Sequence, residues 1–290
     1  MNRIPQRTAQ RGRVIRWIRR ILVVLLTGLA ALIALIYFGQ HRMLYHPRPY
    51  DARYANFFPP DGVELSFRTG AGKQVAFYLP RGLDQQIPKR LWVAFCGNGS
   101  LALDWTGLIA KDSRPGDAFL LVDYPGYGKS EGYATVATTR AAADGALEAL
   151  AKHLNTSAEN LHASLSILGH SWGTAVALDF ATRHSAQQIV LVAVFTNLRE
   201  EAALVVGDPL SYLLSENYDN LSCLRELARR SPPPRVEIFH GTRDDIIPAR
   251  MGRTLAEKFP AFVKFHPVEG GDHLSPLFTA TNEILAAMND

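Results

Sequence analysis

The pentapeptide Gly169-His170-Ser171-Trp172-Gly173 sets a serine between two glycines. A short apolar run, Leu165 to Leu168, precedes it. The stretch Thr174 to Ala181 follows, with apolar residues at helical spacing. Strand, sharp turn and helix would lift the Ser171 hydroxyl onto an exposed elbow, the glycines permitting tight backbone and close helix–strand approach. The start of that helix aims backbone N–H groups and a partial positive charge at the place where an oxyanion would form. The chemistry suggested is nucleophilic attack on an acyl carbon.

A serine hydroxyl is a weak nucleophile until a base takes its proton. When strands alternate with helices, the partners should lie just past strand C-termini, acid before histidine. Asp244 fits in His240-Gly241-Thr242-Arg243-Asp244-Asp245, after a predicted strand and a glycine turn. Asp245 is the neighbouring alternative, and Asp244 could instead serve only as a cap for the helix starting near Pro248. The base expected is His273, in the loop Gly270-Gly271-Asp272-His273-Leu274-Ser275. Its rival His266 falls inside a predicted strand, and His240 precedes the acid. One oxyanion donor would be the Trp172 backbone N–H. The other would come from Cys96-Gly97-Asn98-Gly99-Ser100, with Asn98 the best choice, although a plain glycine turn would read the same way.

The elements that must carry these residues can be read from the apolar pattern. Strands are predicted at Val63–Phe67, Gln74–Leu79, Leu91–Phe95, Ala118–Asp123, Leu165–Leu168, Ile189–Phe195, Val236–His240 and Phe262–Val268. Helices are predicted at Leu101–Lys111, Val136–Leu154, Ser171–His184, Ala249–Phe259 and Pro276–Met288. The alternation implies an α/β fold, a mostly parallel sheet with helices on both faces.

The 290 residues suit one packed domain and are few for two. The net charge of +4 is unevenly placed: seven arginines lie in residues 1–20 with no acid or lysine. Removing those seven from 31 leaves 24 basic against 27 acidic residues, a net −3, so the rest gives no support to nucleic-acid binding. Ile21 to Phe38 is uncharged and strongly apolar, just long enough to span a bilayer, with Trp17, Tyr37 and Phe38 suited to the interfaces. The expected organisation is a basic cytoplasmic tail (1–20), a single-pass anchor (21–38), an extended juxtamembrane connector (39–60) and a catalytic domain (61–290) on the extracytoplasmic or periplasmic side. A cleaved signal peptide is the alternative, but the run is long and no clear Ala-x-Ala site follows. Cys96 and Cys223 are read as unpaired thiols. No Cys/His cluster has metal-ligand spacing and no phosphate-binding glycine loop occurs, so no metal or cofactor is expected.

The chain from about 45 to 290 resembles the α/β-hydrolase superfamily, in particular its membrane-anchored serine hydrolases: lysophospholipid and monoacylglycerol lipases and protein depalmitoylases. The likeness rests on Leu44-Tyr45-His46-Pro47, Gly97-Asn98-Gly99, Asp123-Tyr124-Pro125-Gly126-Tyr127-Gly128-Lys129-Ser130, the Ser171 pentapeptide, His240-Gly241-Thr242-Arg243-Asp244 and Gly271-Asp272-His273. It implies Ser171, Asp244 and His273 as a catalytic triad, and a short cap over about 197–235 built from Leu198–Val206, Tyr212–Leu214 and Leu221–Arg230. One departure stands out: Cys96 replaces the histidine usual before Gly-Asn, which removes an anchoring hydrogen bond of the oxyanion loop. Tyr127, Tyr133, Trp105 and Trp172 are candidate pocket residues. The expected activity is hydrolysis of acyl esters or thioesters, lipids included, through an acyl-enzyme. A serine peptidase or a non-catalytic membrane-tethered binding protein are the alternatives, and dehalogenase or epoxide-hydrolase chemistry would want a carboxylate at position 171.

Overall fold

The computed structural model describes residues 5–80, 87–112, 114 and 116–289; Arg3 of the basic segment lies outside them. The strands are β1 (Val63–Thr69), β2 (Gly72–Leu79), β3 (Arg90–Phe95), β4 (Asp117–Val122), β5 (Leu165–His170), β6 (Gln188–Val192), β7 (Arg235–Gly241) and β8 (Val263–Val268). They form one eight-stranded sheet in the order β1-β2-β4-β3-β5-β6-β7-β8. The pairings β1·β2 and β2·β4 are antiparallel and all others parallel.

The central strands are buried along their whole length, as their unbroken apolar runs require. Trp92, Phe95, Phe119, Phe180 and Phe239 are among the largest fully buried side chains of the core, each such side chain contributing about 1.5–3 kcal/mol by leaving water. Strand β1, at the antiparallel edge, is only partly covered.

The helices are α1 (Pro5–Leu44), α2 (Thr106–Ile109), α3 (Val136–His153), α4 (Ala158–His162), α5 (Trp172–Arg183), α6 (Leu198–Val206), α7 (Asp208–Ser211), α8 (Asn220–Leu227), α9 (Ala249–Lys258), α10 (Pro276–Thr279) and α11 (Thr281–Asn289). The sheet is covered by α3 on β1, β2 and β4, α5 on β3, β5 and β6, α9 on β7 and β8, and α11 on β6. Helices α6 and α7 pack on each other, and α8 packs on α5.

Several elements differ from their predicted forms. Residues 101–111 form a 3₁₀ turn, Ala102–Trp105, and then the single turn α2, because the Asp104 carboxylate accepts from the Leu101 N–H and fixes the tight first turn. The final helix breaks at Ala280 into α10 and α11. Strand β6 stops at Val192, where Ala193 turns to a φ of 56° and donates its N–H to Phe239 O.

Among the described residues α1 alone is long and apolar enough to cross a membrane, judged by length and composition. Its 40 residues extend about 60 Å, well past the predicted span at both ends. The connector also departs from an extended strand. It stays helical to Leu44, makes a 3₁₀ turn at Ala52–Asn56, and buries Tyr45 and Tyr54 in the core. Aromatic packing is the reason: Tyr45 meets Trp172 edge-on at 5.0 Å, and Tyr50 meets Phe77 at 5.7 Å.

Helix α5 presses against the end of β3. A side chain at Gly173 would stand 2.1 Å from Phe95 O and 2.6 Å from Cys96 O. A side chain at Gly169 would stand 2.7 Å from Gly173 O. Because backbone must give way, Gly173→Ala should destabilise the chain by at least about 2 kcal/mol in chemical denaturation. Parent-like stability would show that this close approach is not required.

Candidate active site

Ser171 occupies the single residue between β5 and α5, with φ 54° and ψ −121°. That is a sparsely populated conformation for a side-chain-bearing residue and persists only where surroundings hold it. Here the Ser171 N–H donates to Val192 O at 2.8 Å, while Ser171 O accepts from Thr174 Oγ1 at 2.6 Å and Thr174 N at 3.0 Å.

The loops after β7 and β8 meet this elbow. His273 Nε2 lies 2.8 Å from Ser171 Oγ, and His273 Nδ1 lies 2.8 Å from Asp244 Oδ2. The other Asp244 oxygen accepts from the N–H groups of Ile246 at 3.0 Å and Ile247 at 2.8 Å. The two loops are pinned together by Arg243 N–H to Gly271 O at 2.8 Å, and Asp272 Oδ1 folds the His273 loop by accepting from the N–H groups of Leu274 and Ser275.

The structure thus brings Ser171, His273 and Asp244 into one hydrogen-bonded line. It places the alternatives elsewhere. Asp245 points into solvent, and His266 bonds Glu237 at 2.5 Å. His240 is fully buried, 3.3 Å from Asp244 Oδ2 and 2.8 Å from Ile247 O, so it supports the acid from behind.

Burial opposes the Asp244 charge, but hydrogen bonds from His240, His273 and Ile247 outweigh it and hold the carboxyl well below its ordinary value. Burial pushes His170 down to about 4, with His273 adding to the effect. A neutral His170 ring therefore sits 3.3 Å from His273 O. Glu201, on the cap, is shifted up by burial against the opposing pull of His273.

Trp172 begins α5, so its N–H has no intrahelical acceptor. The facing loop turns tightly, Ser100 N–H donating to Gly97 O at 3.0 Å. A side chain at Gly97 would lie 3.4 Å from Ser171 Cβ. The Asn98 side chain is fully engaged: Nδ2 donates to Leu44 O, and Oδ1 accepts from Tyr127 OH at 2.9 Å and His46 N at 3.2 Å. With its carboxamide held in this way, the Asn98 backbone N–H is the candidate oxyanion donor.

Groups that sequence reading passed over hold the Cys96–Ser100 loop. Tyr124 OH donates to Cys96 O at 2.7 Å, and the buried Asp123 carboxyl accepts from Ala102 N at 2.9 Å. Arg48 Nε donates to Gly99 O at 2.8 Å. Asp123 and Tyr124 belong to the Asp123–Ser130 motif, and Arg48 directly follows Leu44–Pro47; those motifs are the signal in the sequence, although neither announces these contacts. Both cysteines are free thiols, and among the described residues no acidic, His or Cys group could hold a metal ion.

A cleft of about 570 Å³ opens at Ser171, lined by Trp172, Asn98, His273, Phe195, Leu198 and Val205 among others. Of the predicted pocket aromatics only Trp172 lines it. Trp105 is core, Tyr133 is exposed, and Tyr127 is buried and bonded to Asn98 of the Cys96–Ser100 loop. Tyr127→Phe should slow fluorophosphonate labelling about tenfold, the worth of one net hydrogen bond, whereas Tyr133→Phe should leave the rate unchanged. Equal rates in both variants would remove the loop-support role.

Residues 88–232, half of the chain, match the family described as serine aminopeptidase, S33. The matched span includes Ser171 and ends before Asp244 and His273. Among curated proteins, α/β-hydrolase domain-containing protein 17C of Mus musculus is 27% identical over 154 residues, covering 52% of this chain and 43% of that one. Protein 17B of Homo sapiens is 30% identical over 151 residues, covering 52% and 48%. The chain therefore spans less than half the length of these relatives. Among solved structures, an esterase of Pyrococcus furiosus superposes with a TM-score of 0.62 at 14% identity, covering 85% of this chain and 96% of that one. Propionate-bound esterase 2 of Thermogutta terrifontis superposes with 0.58 at 18% identity, covering 79% and 93%. The likeness to these structures is one of fold, and together with the family match it makes this chain a member of the α/β-hydrolase superfamily, in the family described as serine aminopeptidase, S33.

Proposed function

We propose that this protein is a membrane-anchored serine hydrolase of acyl esters or thioesters, acting through an acyl-enzyme. The observation that carries the reading is His273, seated 2.8 Å from both Ser171 Oγ and Asp244 Oδ2. Ser171 Oγ attacks the substrate carbonyl carbon as its proton passes to His273 Nε2. Asp244 orients the ring through Nδ1–H and stabilises the imidazolium. The carbonyl oxygen takes the negative charge against the N–H groups of Asn98 and Trp172, each such donor being worth about 2.7–4 kcal/mol. Collapse of the intermediate breaks the C–O or C–S bond. The leaving alcohol or thiol takes the proton from His273, and the acyl group stays on Ser171. Water then adds to that acyl carbon, giving a proton to His273, and Ser171 departs with it as the free acid is released.

In this reading α1 is the anchor. The arginines of residues 1–20 keep its start in the cytoplasm and set the domain on the opposite side. The names of the two esterases it resembles in fold support the ester class. A serine aminopeptidase is the second reading, favoured by the description of the matched family and by Glu201, a partly buried carboxyl on the cleft wall that a free substrate amine could pair with.

Ser171→Ala should abolish both fluorophosphonate labelling and turnover of a short p-nitrophenyl ester, and Asp244→Asn should lower kcat by about 10⁴. Labelling that persists in Ser171→Ala would sink the assignment. Faster cleavage of an aminoacyl-coumarin amide than of the ester would put the peptidase first.

A further inference from the structure

Beside the cleft runs a second cavity of about 120 Å³. One wall is the end of α1, with Ile36, Met43 and Leu44. The other is the cap, with Val206, Leu210 and Leu214. The two cavities share Met43, Leu44, Glu201 and Val205, so they adjoin along these side chains.

The polar side chains of this groove other than Glu201 are turned to protein partners. Gln40 Oε1 accepts from Ser215 N at 2.8 Å and Ser215 Oγ at 3.0 Å, and Gln40 Nε2 donates to Tyr37 O at 2.7 Å. Ser211 Oγ donates to Asp208 O at 2.8 Å. What remains facing the groove is hydrocarbon, with Glu201 at the junction to the cleft. The same Gln40–Ser215 bonds fasten α1 to the cap, so the groove is a built feature of their contact.

The direction of the groove matters. From Leu44 to Ile36 the helix rises about 12 Å, away from Ser171 and into the apolar run that begins at Ile21. An apolar groove that adjoins the cleft at Ser171 and runs along the anchor suits a flexible hydrocarbon chain whose far end lies toward the bilayer. It does not suit a polar or bulky leaving group, for which the walls offer no unsatisfied donor or acceptor beyond Glu201.

We propose that this groove holds the hydrocarbon chain of the acyl group transferred to Ser171, so that the anchor helix is itself one wall of the acyl-binding site and the preferred substrates are long-chain acyl esters or thioesters. The inference rests on Ser171 being the nucleophile. It adds that α1 selects substrate as well as anchoring the domain.

The test uses the full chain in lipid nanodiscs, with p-nitrophenyl butyrate and p-nitrophenyl palmitate as substrates. Ala202→Phe and Leu210→Trp add bulk to the groove at positions outside the Ser171 cleft. Each should lower the palmitate-to-butyrate ratio of kcat/KM at least tenfold. An unchanged ratio overturns the proposal. A second measurement stands even where a variant fails to fold. A long alkyl fluorophosphonate with a terminal diazirine is attached to Ser171 of the parent chain and irradiated. Crosslinks to residues 36–44 or 202–214 support the groove, and crosslinks confined to other residues or to lipid overturn it. A parent chain that takes no fluorophosphonate and cleaves neither ester has lost the serine-hydrolase reading itself, and the acyl groove goes with it.

Discussion

The carbonyl oxygens of Phe95 and Cys96 stand where any side chain at position 173 would have to go. That close approach of α5 to the end of β3 is what the site is built on. It forces the turn at Ser171 into its rare backbone conformation, costing about 1–3 kcal/mol that the bonds to Val192 and Thr174 help offset. It also sets the oxyanion loop against the serine, because that loop is the direct continuation of β3. The parallel order of β5, β6, β7 and β8 then delivers the loops bearing Asp244 and His273 to the same sheet edge.

Asn98 links this edge to the chain's first helix. Its carboxamide bonds Leu44 and His46 on one side and Tyr127 on the other. Arg48 extends the link, with Nη2 donating to Asp104 at 2.8 Å and Tyr54 OH at 2.7 Å. The segment leaving α1 is therefore part of the scaffold that holds the Cys96–Ser100 loop. The loop at Cys96 is thus anchored by Tyr124, Tyr127 and the connector.

Much of the fold was legible because its signals are local. Glycines flanking a serine, apolar runs such as Val93-Ala94-Phe95 and the apolar face of α5 each express a short-range rule of backbone or packing. The mostly parallel sheet followed from their alternation, and Asp244 and His273 were picked out by chain order, whereas the strand order β1-β2-β4-β3-β5-β6-β7-β8 came only with the structure. What stayed hidden depends on partners far apart in sequence. Gln40 meets Ser215, His41 meets Ala134 O and Arg48 meets Gly99, and no local pattern announces such pairs. The same holds for His240, whose buried support of Asp244 looked like a misplaced candidate base. Breaks inside the predicted helices 101–111 and 276–288 escaped for a related reason, since their apolar spacing continues across the break.

The central claim is that Ser171 carries the acyl group. The most direct test is to quench a reaction with a p-nitrophenyl ester in acid within its first turnovers and map the acyl mass by peptide sequencing. The account predicts an initial burst of nitrophenol matched by one acyl group on the peptide bearing Ser171. Turnover with the acyl group on another residue, or steady hydrolysis with no protein-bound acyl group under any quench time, would contradict it.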